Sequence, residues 1–216
     1  MSVSDPARPA GAARFGILIS GRGSNMEALI DAALAGAIPA TPAVVIANLP
    51  DAAGLEKARD RGVPTAVVEH RSAPSREAHE RAVLEVLRQH RVELVCLAGY
   101  MRLLSAVFLE AFPRRVLNIH PSLLPAFPGL EAAAQAVQHG VRVSGCTVHF
   151  VDPGLDQGPI VLQAAVEVRP EDTPAQLARR ILEQEHRIYV EAVRLFCEGR
   201  LRIDGRRVRI TPLPGT

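Results

Sequence analysis

Five short runs between Arg14 and His120 are apolar at odd and even positions alike, and this restricts the fold more than any other feature of the chain. They are RFGILIS (14–20), AVVIANL (43–49), TAVVEH (65–70), ELVCLAG (93–99) and RVLNIH (115–120). Strands apolar on both faces must be covered on both sides, which is the situation of a parallel sheet. The segments between them have helical spacing. NMEALIDAALAG puts Met26, Leu29, Ile30 and Ala33 on one stripe, and REAHERAVLEVLRQH (76–90) does the same with Ala82, Val83, Val86 and Leu87. AAGLEKARDRG and SAVFLEAF (105–112) supply two shorter helices. Strand alternating with helix predicts an α/β fold with a doubly wound, mostly parallel sheet. Ligands of such sheets bind beyond the carboxyl ends of the strands.

The pattern changes after a helix expected at 130–140. SGCTVHFVD (144–152) and PIVLQAAVEV (159–168) alternate more and are joined by the loop PGLDQG, which predicts antiparallel strands on the edge of the sheet. A long helix (173–199) follows, and then LRIDGRRVRI, whose Asp204-Gly205 pair marks a tight hairpin. No linker, repeat or low-complexity stretch interrupts residues 14–216, so they read as a single domain, with residues 1–13 a flexible tail.

Composition removes several functions. A net charge of +2, with basic residues scattered among acidic ones, gives no electrostatic footprint for nucleic acid. No apolar run approaches the ~20 residues that span a bilayer, so no membrane role is expected. Cys96, Cys146 and Cys197 are far apart and odd in number, which suits reduced thiols in a cytoplasmic protein and gives no metal motif. Lys57 is the only lysine and lies in a surface helix, which argues against a P-loop nucleotide site and a pyridoxal Schiff base.

Three segments carry candidate chemistry. ISGRGSNMEAL places Gly21 and Gly23 where a strand turns into a helix, with Ser24 and Asn25 at the helix start. Free amides and the helix dipole there suit a phosphate monoester, although Ser24 as a simple cap of a tight turn is the alternative. A dinucleotide fingerprint fits less well, because Met26 occupies its third glycine position. In NIHPS, Asn118 and His120 lie two apart on a strand and face the same way. An amide donor suits a developing oxyanion and a histidine suits proton transfer, whereas satisfying loop backbone groups is the structural alternative. In DPGLDQGPI, Asp156 either orients His120 and favours its charged form or is a turn aspartate. His149, in TVHFV, is either a pocket residue or a half-buried strand histidine.

Together these segments resemble the glycinamide ribonucleotide formyltransferases, the folate-dependent family of purine biosynthesis, from about Phe15 to about Leu201. ISGRGSN resembles the family's phosphate loop, PDAAGLEKARDRG its second strand-helix junction and LAGYMRLLS its folate segment. LNIHPSLLPAFPG resembles the catalytic strand end, VHFVDPGLDQGPI the catalytic loop and QEHRIYV the late helix. The resemblance implies 10-formyltetrahydrofolate as co-substrate, no metal, glycinamide ribonucleotide as formyl acceptor, and a monomer or homodimer. It implies a phosphate-binding half at 14–112 and a catalytic, folate-binding half at 113–216. Gly23, Ser24 and Asn25 would hold the phosphate and Glu185 the ribose hydroxyls. Arg76 would lie near the folate tail or the substrate. Met101, Arg102, Leu103 and Leu104 would grip the pterin, with Val151 and Asp152 closing on it. Asn118, His120 and Asp156 would form the catalytic set, supported by His149.

One departure is visible. After FPG the family often carries a histidine and further polar residues, whereas this chain reads Leu130-Glu131-Ala132-Ala133-Ala134. The nearest rival readings use the same formyl donor. A methionyl-tRNA formyltransferase adds a C-terminal tRNA domain that the short stretch after the last expected helix does not supply. A formyltetrahydrofolate hydrolase would replace the amine with water, and usually carries an N-terminal regulatory domain. A non-catalytic ligand-binding module would keep SGRGSN without bringing Asn118, His120 and Asp156 together.

Overall fold

The structure is a computed structural model that describes residues 13–212. The expected tail therefore lies outside the described residues, except for Ala13, which opens the first strand. The first half alternates as its apolar pattern requires: β1 (Ala13–Ile19), α1 (Ser24–Leu34), β2 (Ala40–Ala47), α2 (Gly54–Asp60), β3 (Thr65–Val67), α3 (Arg76–Gln89), β4 (Leu94–Leu97), α4 (Ala106–Ala111) and β5 (Val116–His120). The second half contains α5 (Ala132–Gln138), β6 (Val143–Phe150), β7 (Ile160–Glu167), α6 (Pro174–Cys197), β8 (Leu201–Asp204) and β9 (Arg207–Ile210). All strands join one sheet in the order β3-β2-β1-β4-β5-β6-β7-β9-β8.

The first five strands are parallel, and their order reverses between β1 and β4. That reversal opens the crevice in which doubly wound sheets bind ligands. β6 and β7 run antiparallel, as their alternating sequences suggested, and the terminal hairpin extends that side of the sheet through one parallel pair, Ile160 with Arg207. β3 stops at Val67 rather than His70. The carbonyl of Val68 is taken by Nε2 of the buried His79 at 2.9 Å, so the chain leaves the ladder there.

Side-chain alternation divides the core in two. Ile17, Ile19, Val45, Ala47, Cys96, Leu117, Ile119, Val148 and Phe150 pack under α1, α2, α5 and α6. Leu18, Val44, Ile46, Val95, Leu97 and Val116 pack with α3 and α4 on the other face. Because Leu117 and Ile119 belong to the first cluster, Asn118 and His120 project from the second face. The long α6 begins with a capping box between Thr173 and Gln176 and has Pro174 at its start. Its buried Tyr189 hydroxyl lies 3.0 Å from the carbonyls of both Leu97 and Leu117 and shares its one hydrogen between them, pinning the helix to β4 and β5 just before Asn118. No helix among the described residues is long and apolar enough to cross a membrane.

The Tyr189 hydroxyl lies between two buried carbonyls, so removing it leaves them undersatisfied. Tyr189→Phe is expected to cost about 1–3 kcal/mol, lowering the thermal midpoint by several degrees. Circular-dichroism melting checks this, and an unchanged midpoint would show that the bond contributes nothing.

Candidate active site

The first loop leaves β1 and enters α1 without a side-chain cap. Gly23 occupies the N-cap position with φ 73, and the structural alternative for Ser24 as a cap is not what forms. The first helical bond runs from the Glu27 amide to the Gly23 carbonyl at 2.9 Å, leaving the amides of Ser24, Asn25 and Met26 without an intrahelical acceptor. Glycine is required at 23 for its left-handed backbone and for space, since a Cβ there would stand 3.1 Å from Gly54 Cα. Gly54 closes the contact by donating its amide to the Gly21 carbonyl at 3.0 Å. The Asn25 amide nitrogen donates to Glu185 Oε2 at 2.7 Å, so the residues expected at the phosphate and at the ribose meet. Burial raises the Glu185 pKa, and the bond from Asn25 opposes that rise.

The second cluster is built by the antiparallel pairing of β5 with β6. Register sets Asn118 opposite His149 and His120 opposite Thr147. Asn118 Nδ2 lies 3.1 Å from His149 Nε2. Thr147 braces the turn after His120, accepting from the Leu124 amide at 3.1 Å and donating to the Ser122 carbonyl at 2.7 Å. Gln163, opposite Thr147 on β7, donates to Thr147 Oγ1 and to the Leu124 carbonyl, both at 3.0 Å. The prolines and apolar residues of LNIHPSLLPAFPG thus leave the strand along a path held by hydrogen bonds.

Asp156 completes the cluster. Its loop returns across the face of β5, and its Oδ2 lies 3.4 Å from His120 Nδ1 and accepts from the Gly129 amide at 2.8 Å. Its Oδ1 stands 3.8 Å from His149 Nε2. Asp156 holds a left-handed backbone with φ 52, a conformation that Asp tolerates better than most residues. Gly158 lets the loop rejoin the sheet, because a Cβ there would meet the Phe150 carbonyl at 1.7 Å. His120 is 4% exposed, and its Nε2 lies 2.8 Å from the Phe127 carbonyl. A carbonyl only accepts, so Nε2 carries a proton and Nδ1 is the atom facing Asp156. Both nitrogens are engaged, whereas the sequence expectation had His120 turned to the ligand beside Asn118.

The expected folate segment follows β4. Met101 and Leu103 are exposed, Arg102 is half-buried, and Leu104 packs against the α3–α4 cluster. The Met101 amide is already engaged by Ser20 Oγ at 2.9 Å, which leaves its carbonyl free to accept; Ser20 in turn donates to Asn48 Oδ1 at 2.7 Å. These bonds tie the segment to the ends of β1 and β2, a connection with no local signal in the sequence. Val151 is anchored through its amide to the Val116 carbonyl at 2.9 Å, and Asp152 Oδ1 accepts from the Gly154 amide at 3.0 Å. Arg76 is the exposed first residue of α3, and among the described residues no contact joins it to the others. Sequence reasoning did not find Gly54, Gly129, Thr147 or Gln163; only the FPG turn marked Gly129.

Burial pushes the pKa values of His79, His149 and His186 below the ordinary 6.5. Each therefore binds a proton more weakly in the folded chain than in the unfolded one. Their contribution to stability is full above pH ~6.5 and is lost as pH falls through their folded values. Denaturant unfolding at a series of pH values should show stability falling below pH ~6.5, with less loss in His79→Gln; a flat profile would contradict these assignments.

Comparison with known proteins follows the same outline. The formyl transferase family model matches residues 13–193. The chain is 41% identical over 181 residues to the phosphoribosylglycinamide formyltransferase of Bacillus subtilis (strain 168), covering 84% of this chain and 93% of that protein. It is 45% identical over 188 residues to the trifunctional purine biosynthetic protein adenosine-3 of Drosophila melanogaster, covering 86% of this chain but only 14% of that protein's length. The crystal structure of glycinamide ribonucleotide transformylase 1 from Symbiobacterium toebii superposes with a TM-score of 0.92 at 58% identity, covering 93% of this chain and 94% of that one. On the extent of these matches, the chain belongs to the formyl transferase family.

Proposed function

We propose that this protein transfers the formyl group of 10-formyltetrahydrofolate to the amine of 5'-phosphoribosylglycinamide, giving N-formylglycinamide ribonucleotide and tetrahydrofolate. The observation that carries this reading is the meeting of Asn118 and His120 on β5 with Asp156 from a loop 36 positions further on, with His120 Nδ1 3.4 Å from Asp156. A binding module has no need of that convergence.

The uncapped start of α1 suits the substrate phosphate, which would take the amides after Gly23 and the hydroxyl of Ser24. The Asn25–Glu185 pair is placed for the ribose. The ends of β1 and β5 are separated by β4, two strand spacings or about 10 Å, which leaves room for the ribose and glycinamide between phosphate and amine. Met101, Leu103 and Leu155 offer exposed apolar surface for a flat heterocycle. Arg102 and Leu104 supply polar and backbone groups beside it, and Val151 and Asp152 begin the loop that would cover it.

The amine attacks the formyl carbon, and the carbonyl oxygen becomes an oxyanion. Asn118 has a second N–H beyond the one directed at His149, and this is the donor for that oxygen. It acts most strongly when charge has developed, which lowers the barrier rather than merely binding substrate. With both nitrogens engaged, His120 stands beside the developing negative charge as a hydrogen-bond donor or a proton shuttle, and Asp156 holds it there. The attacking nitrogen then loses a proton and the folate nitrogen gains one; the oxyanion re-forms the carbonyl, and the bond from the formyl carbon to the folate nitrogen breaks to release tetrahydrofolate. The half-buried Asp156 carboxylate, linked to His120, is placed to relay it.

Purified protein supplied with 10-formyltetrahydrofolate should consume it only when the amine is present. Asn118→Ala is expected to lose about 10²–10³ in kcat, and Asp156→Asn a comparable factor. Formate release at the same rate without amine would instead make the protein a hydrolase.

A further inference from the structure

We propose that His149 is a positioning residue for formyl transfer: as a neutral ring it fixes the Asn118 amide, and its protonation releases that amide and draws Asp156 away from His120. The inference rests on the formyl-transfer reading of the site and concerns a residue that touches neither reacting atom.

The geometry fixes the tautomer. His149 Nδ1 lies 2.9 Å from the carbonyl of Phe150, which can only accept, so Nδ1 carries the hydrogen. In the neutral ring Nε2 then presents a lone pair, and the group facing it at 3.1 Å is the nitrogen of Asn118. One amide N–H of Asn118 is thereby committed to His149, and the planar amide has only one direction left for the other. An Asn alone on a strand rotates about its last torsion at little cost; here the opposing strand sets it.

The ring is 2% exposed, and burial holds its pKa below the ordinary value against the pull of Asp156. The charged groups that face it are His120 on β5 and Asp156 and Asp152 on the loop; Ile160, opposite it on β7, is apolar. When His149 gains a proton, Nε2 becomes a donor and can no longer accept from Asn118. The amide must turn round, which moves its N–H groups away from the oxyanion position. The new N–H lies 3.8 Å from Asp156 Oδ1, while His120 uses Oδ2 of the same carboxylate at 3.4 Å. One proton therefore disturbs both the donor and the His120–Asp156 pair.

The test is the dependence of kcat and KM on pH, from about pH 5 to pH 9, for wild type, His149→Phe and His149→Gln, with Asn118→Ala as reference. His149→Phe keeps the ring volume but offers no acceptor, and should lower kcat about 10–100-fold with KM within about twofold. His149→Gln offers an amide oxygen that does not titrate. It should keep kcat within about tenfold of wild type at high pH and lose the acid limb that His149 imposes. Melting curves establish that each variant is folded; should the Phe variant fail to fold, the pH profile of the Gln variant decides alone. A folded His149→Phe with wild-type kcat, or an unchanged acid limb in His149→Gln, overturns the proposal. Wild type inactive with the amine would overturn the formyl-transfer reading itself, whereas transfer impaired by Asn118→Ala but not by changes at His149 defeats only the role of His149.

Discussion

The register of β6 against β5 decides what the polar residues of this protein can do. Asn118 and His120 would point from the same face of β5 under any pairing, because strand side chains alternate. Only the observed antiparallel register sets His149 against Asn118 and Thr147 against His120. A slip of one residue would bring Val148 to the active face and turn His149 into the apolar core under α6. Tyr189 reinforces the arrangement from the opposite side, since its hydroxyl spans the carbonyls of β4 and β5 immediately before Asn118.

The site forms where helical cover of the sheet gives way. The cluster built by α3 and α4 covers one face of β1, β2 and β4. Asn118, His120, Thr147 and His149 continue that face onto β5 and β6, where the loop carrying Asp156 lies over them. A loop suits the proposed formyl transfer as a cover, because it can open to admit substrates and close to exclude water at low cost. The same economy appears in Asp156 itself, whose carboxylate uses one oxygen for His120 and the Gly129 amide and turns the other toward His149.

The architecture was legible in the sequence because strands apolar on both faces admit few packings, and each expected helix and strand is found with its ends adjusted by a few residues. The ends moved where a side chain intervened, as His79 does at Val68. The Asn118–His120 pair was legible from a spacing of two, and the turn into the uncapped start of α1 from its glycines. What spacing could not supply was any relation across strands or loops. Asn25 and Glu185 are 160 positions apart yet share a hydrogen bond, and nothing local announces it. The match of His149 to Asn118 depends on the register of β6 against β5, which neither strand's own sequence states. Whether Asp156 is a turn residue or a partner of His120 turns on the path of a loop that Gly158 helps to set. The order of motifs, read as a family resemblance, anticipated the meeting of Asp156 with His120 but neither the Asn25–Glu185 bond nor the match of His149 to Asn118.

Formyl transfer at this site requires the amide of Asn118 and the His120–Asp156 pair to surround one reacting carbon. A crystal structure with glycinamide ribonucleotide and a folate analogue that carries a non-transferable group at the formyl position tests it most directly. The account predicts the glycinamide nitrogen about 3–3.5 Å from that carbon, the analogue's oxygen within hydrogen-bond distance of Asn118 Nδ2, and the phosphate on the amides that follow Gly23. A nucleotide bound with its phosphate elsewhere, or an analogue oxygen turned away from Asn118, would contradict it.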